Sequence, residues 1–136
     1  MSMWLTLAKI DPALLPDVRS NPDLLDDLLN GDHPEDETHG EDYRTIDHIA
    51  EGRAEVEEGA ADWREAYPWL GRATGHGSEE IEGDDFGYGP AFVLTPDEVR
   101  QVAEGLVGEG WSRFLELAPF LTRAAAEGKA VVGAVI

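Results

Sequence analysis

Ala91-Phe92-Val93-Leu94-Thr95-Pro96-Asp97-Glu98-Val99 carries the most specific local signal in the chain. The four residues before Thr95 are apolar and read as a short strand. Thr95 then offers a side-chain acceptor at a helix N-cap, Pro96 stands where no N–H is needed, and Glu98 is placed to reach back to the cap backbone. The chain therefore turns from strand to helix at Thr95. The helix places Val99, Val102, Ala103, Leu106 and Val107 on one face and should end near Gly108 or Gly110.

Downstream, Trp111 to Glu127 is again helical, with Trp111, Phe114, Leu115, Ala118, Leu121 and Ala125 on one face. Pro119 should kink or divide it, and Gly128 is a natural residue for the position just past its end. The run Ala130 to Ile136 is apolar throughout and fits a strand covered on both faces. Upstream, residues 3 to 10 read the same way, with Met3, Leu5 and Leu7 on one side and Trp4, Ala8 and Ile10 on the other.

Between these ends the pattern is helical with interruptions. Asp11-Pro12 and Asn21-Pro22 are helix starts, the first cut short by Pro16 and the second opening the leucine stripe Leu24, Leu25, Leu28 and Leu29. Tyr43 to Glu58 carries Ile46, Ile49, Ala50, Arg53 and Val56 at helical spacing, and Asp62 caps a further helix that Pro68 makes short or bent. Asn30 to Asp42 has no aliphatic residue and reads as an acidic loop outside the core. Residues 71–89 hold six glycines and read as a glycine-rich loop. The expected architecture is a single α+β domain over 1–136. Its small mixed sheet includes the N- and C-terminal strands and is packed by several amphipathic helices.

The chain has 136 residues, 29 acidic against 10 basic side chains, and no cysteine. One domain of this size buries roughly two-thirds of the surface its unfolded chain exposes. A net charge of −19 argues against a nucleic acid or an anionic membrane as partner, and the absence of cysteine excludes disulfides and thiol chemistry. No stretch approaches the roughly 20 apolar residues of a membrane span, and the start lacks a basic, cleavable leader, so the expected setting is cytoplasmic. The charge is localised. Residues 32–62 hold twelve acids against Arg44 and Arg53, and residues 79–85 add Glu79, Glu80, Glu82, Asp84 and Asp85.

Three segments together resemble the YfbM-like bacterial family, a domain of unknown function. They are the N-terminal strand leading into Asp11 to Leu15 and Asn21 to Leu29, the stretch Phe86 to Val99, and Phe120 to Val132. Family members carry a tryptophan-rich helix with a histidine, ending in a Thr-Gly step. Here Trp63 to Trp69 and Thr74-Gly75 are similar in type, but the spacing differs and no histidine lies in that helix. No role for it is carried over. The resemblance implies a single α+β domain and no established activity.

Candidate chemistry concentrates in Gly83 to Pro90 with His76. Glycines let a backbone approach a ligand closely, Tyr88 offers a ring and a hydroxyl, and His76, Asp84 and Asp85 offer titratable groups. The competing reading makes Phe86 and Tyr88 core plugs on a turn. Neither a Walker lysine nor a dinucleotide spacing accompanies the glycines, and Asp84 and Asp85 would repel a phosphate. The acid runs lack calcium-loop spacing, the four histidines form no metal pair, and no serine sits in a nucleophile elbow, so no metal or cofactor is expected. Trp63, Tyr67 and Trp69 read as core, with a surface cluster as the alternative. The leading expectation is a non-enzymatic interaction domain, immunity- or inhibitor-like by analogy, whose acidic segments engage a basic protein. The alternative is a small-molecule-binding or hydrolytic domain using Gly83 to Pro90.

Overall fold

The structure, a computed structural model, describes residues 3–21, 23–30, 38–59, 62–81 and 91–135. Strands β1 (Trp4–Ile10), β2 (Thr38–Asp42), β3 (Glu79–Glu80), β4 (Phe92–Leu94) and β5 (Ala130–Val135) form one sheet in the order β2-β1-β5-β4-β3. Every pairing is antiparallel, where a mixed sheet was expected. The reason lies in the connection from β4 to its neighbour β5. It passes through two successive helices, α6 (Pro96–Gly108) and α7 (Leu117–Ala126), and an even number of traverses returns the chain in the opposite direction.

The central strands of the sheet are covered on both faces, although Trp4 at the start of β1 is 46% exposed, and the edge strand β3 is exposed. Helices α1 (Leu15–Ser20) and α2 (Asp23–Asn30) cover one, packing Val18 and Leu25 against Ala8, Ile10, Val93 and Val132. On the other face lie α3 (Tyr43–Arg53), α4 (Trp63–Ala66), α5 (Pro68–Ala73), α6 and α7, with Leu5, Leu7, Phe92, Leu94 and Val131 beneath them. Alternation along β1 and β5 divides their apolar residues between the two cores, as the two-sided sequence pattern predicts. In the cross-strand row Leu7–Gly133–Phe92, a Cβ on Gly133 would meet Phe92 at 2.5 Å and Leu7 at 2.7 Å. Gly133 is thus the space that these two side chains fill.

The capping box at Thr95 is complete. Its hydroxyl accepts from Glu98 N–H at 3.4 Å, and Glu98 accepts from Thr95 N–H at 3.1 Å. Pro68 separates α4 from α5, and the long helix expected around Pro119 is divided. It becomes a 3-10 turn at Trp111–Arg113 followed by α7, with the proline in the first turn of the second piece.

Pro16 does not end a helix; it occupies the first turn of α1, where its missing N–H is harmless. The acidic loop at 30–42 becomes strand β2 over Thr38–Asp42, while 31–37 lies outside the described residues. An edge strand needs no aliphatic alternation, which is why its sequence looks like loop. The glycine-rich loop at 71–89 is partly regular as well, because Gly71 is buried inside α5 and Glu79–Glu80 pairs as β3. Val56 is 86% exposed, since the backbone widens into a π-helix over Ala54–Glu58 and shifts the phase of the stripe so that Ala54 is buried instead. Val107 and Phe114 are likewise exposed rather than buried, whereas Trp63 and Tyr67 are buried and Trp69 packs against the core.

Candidate functional site

His76 owes its position to a helix cap. Thr74 ends α5, Gly75 follows at φ +99°, His76 N–H donates to Gly71 C=O at 2.7 Å, and Gly75 N–H donates to Arg72 C=O at 3.2 Å. That pair of bonds is a Schellman motif, and it leaves the imidazole exposed to solvent. Asp84, Asp85 and Tyr88, with the whole Gly83 to Pro90 stretch, lie outside the described residues. Among the described residues no group of three or more metal-ligating side chains converges.

His39 has structural work. It faces Leu7 in the β1–β2 register, stacks on Phe120 with centroids 5.5 Å apart, and its Nε2 lies 2.7 Å from Glu41 Oε1. The same Glu41 oxygen accepts from Leu117 N–H at 3.0 Å, at the start of α7. These two polar residues therefore tie the sheet edge to a helix.

The acidic segment itself forms a ridge. Ala50 and Ala54 are buried, and Glu51 and Glu55, each one position further along α3 and its π-helical extension, point to solvent. Val56 stands fully outward beside them. Glu51, Glu55 and Glu65 make no ion pair among the described residues. Asp47, one turn earlier, accepts from the Trp63 indole N–H at 2.6 Å, and the half-exposed Glu57 accepts from Arg53 Nε at 3.0 Å, so both carboxylates are engaged within the chain. Arg53 lies over Trp111, 4.3 Å from the ring centroid, and donates to Glu109 C=O, which fixes the ridge to the end of α6.

A second feature is a cavity of about 250 Å³ at the far end of the β1–β5 pair. Ala8, Ile10, Leu14 and Leu28 make its aliphatic wall, and Lys9, Asp11, Thr38, Glu127 and Lys129 supply its polar groups. Lys9 is almost fully buried, pairs with Glu127 at 2.8 Å and sits 5.7 Å from the Phe120 centroid. Lys129 is held by a second Schellman motif, in which its N–H donates to Ala124 C=O at 3.0 Å past Gly128 at φ +67°. Lys9 and Lys129 are the only lysines in the chain. Neither belongs to a local motif in the sequence. The available signal was their rarity, but only the register that sets Ile10 opposite Ala130 brings them to one place.

The architecture defines the class: an α+β domain with a five-stranded antiparallel sheet buried between two helical layers. The sequence matches the family described as Domain of unknown function (DUF1877) over residues 1–108, and the chain belongs to that family. The crystal structure of YfbM from Escherichia coli, a protein of unknown function, has the same fold at 14% sequence identity and a TM-score of 0.55. The match covers 98% of this chain and 99% of that one. The family match takes in the first two of the three sequence segments, and the shared fold extends over nearly the whole length. No curated protein matches the sequence. No helix among the described residues is long and apolar enough to cross a membrane.

Proposed function

We propose that this protein is a non-enzymatic interaction domain of the bacterial cytoplasm whose acidic ridge on α3 and its π-helical extension engages a basic protein partner. One observation carries the reading: Glu51 and Glu55 project from a rigidly anchored helix with no counter-charge among the described residues, beside a Val56 that is 86% exposed. Uncompensated carboxylates accelerate and select encounter with a cationic surface, and an exposed apolar side chain among them supplies contact area once the partner has arrived. An immunity- or inhibitor-type pairing with a basic protein is the form that such a surface suits. The test is co-purification of the full chain from its native cells at low salt, beside the triple variant Glu51→Gln, Glu55→Gln, Val56→Asn. A stoichiometric basic partner that is lost with the variant and at high salt supports the reading. Recovery of none, or equal recovery with both chains, ends it.

A further inference from the structure

We infer that the cavity at the end of the β1–β5 pair is a binding site for a small zwitterion with a short aliphatic chain, a free α-amino acid of the leucine class. Lys9 and Glu127 neutralise each other at 2.8 Å, the Lys9 side chain withdrawn from solvent and Glu127 half-exposed, so the two charges answer each other within the chain. What remains at the rim is one cation and one anion. Lys129 makes no ion pair among the described residues, and Asp11 spends one carboxylate oxygen on Ala13 N–H at 2.9 Å, leaving the other open. A carboxylate answers Lys129 and an ammonium answers Asp11, which is the charge pattern of an amino-acid backbone.

The remaining surface fixes the rest of the ligand. Ile10, Leu14 and Leu28 give an aliphatic wall with no aromatic ring to stack a planar group. At about 250 Å³ the space lies below the roughly 300–1,000 Å³ of drug-sized pockets, so it suits a metabolite of a few carbon atoms. β1 runs to Ile10, but its last partner on β2 is Thr38 opposite Ala8, so the outer edge of Lys9 and Ile10 has no paired strand among the described residues. An apolar hollow with a few placed polar groups is the usual composition of a small-molecule site. The ridge on α3 takes no part in it, and the two readings fail separately.

The probes are leucine, 4-methylpentanoate, which lacks the ammonium, and isoamylamine, which lacks the carboxylate. Each is titrated into the full chain by calorimetry, with amide shifts in NMR spectra locating the contact. Leucine should bind more tightly than either half-ligand, with shifts at residues 8–11 and 127–130. Lys129→Met should weaken leucine about tenfold, to the level of isoamylamine, and leave isoamylamine unaffected. Asp11→Asn, which keeps the oxygen that caps Ala13, should weaken leucine without weakening 4-methylpentanoate. Circular dichroism of both variants checks that the fold is retained. The proposal is overturned if leucine does not bind at millimolar concentration. It is also overturned if leucine binds no better than the half-ligands, or if its binding is indifferent to both substitutions.

Discussion

Trp69 lies flat on Gly105: a Cβ built on that glycine would fall 2.1 Å from the indole Cγ and 2.3 Å from Cδ2. The contact locks α5 onto α6, and it involves the root of the ring rather than a tip that swings aside. Gly105→Ala should therefore destabilise the protein even though alanine is the better helix former. Forcing the ring out costs about 1–3 kcal/mol, against roughly 1 kcal/mol regained in helix propensity. A lower midpoint in urea, with a shift in tryptophan emission, is the expected outcome. An unchanged or raised midpoint would show that the ring moves freely.

Arg53 is the pin of the acidic ridge. Its guanidinium lies 4.3 Å from the Trp111 centroid, 5.0 Å from Tyr67 and 5.2 Å from Phe114, while Nε donates to Glu57 and Nη2 to Glu109 C=O. Nη1 has no hydrogen-bond partner among the described residues, and the ring faces stand in its place. A planar, weakly hydrated cation suits that nest, and a lysine ammonium does not. Arg53→Lys keeps the charge and should still cost about 1–2 kcal/mol of stability, read from denaturant unfolding. Equal stability would mean that charge alone holds the ridge.

Much of this framework is legible in the chain, because its devices are local. The capping box at Thr95 and Glu98, the glycine after α7 and the two-sided apolar runs of β1 and β5 each state their purpose within a few residues. What escapes the sequence is long-range. Thr38 to Asp42 looks like loop because an edge strand that contributes His39 and Glu41 to the packing has no aliphatic signature. Arg53 sits on a helical stripe in the sequence, yet its aromatic partners come from elements up to 61 positions away. The cavity with Lys9 and Lys129 exists only through a register that no local pattern encodes.

Glu109 closes α5 from a distance, and this makes its titration informative. Tyr67 at the N-cap supplies no side-chain cap; instead Glu109 accepts from Trp69 N–H at 3.4 Å, from Leu70 N–H at 3.3 Å and from the Trp111 indole at 3.1 Å. Burial nonetheless pushes its carboxyl above the ordinary glutamate value, with those N–H donors and Arg53 only partly offsetting the cost of removing the charge from water. The folded chain thus holds this proton more tightly than the unfolded chain. The stability this contributes is fully present below the ordinary glutamate value of about 4.3 and is lost as pH rises through the raised one. Glu109→Gln cannot titrate, and its amide N–H₂ meets a backbone donor, so it carries an offset that does not vary with pH. The slope is therefore the readout. Measured against wild type between pH 4 and 7, the stability difference should move in favour of the variant as pH rises and flatten above the raised value. A difference that stays constant across the range would mean that the three donors and Arg53 balance burial, and one that moves the other way would mean that they outweigh it and that Glu109 caps α5 as a fully favourable anion.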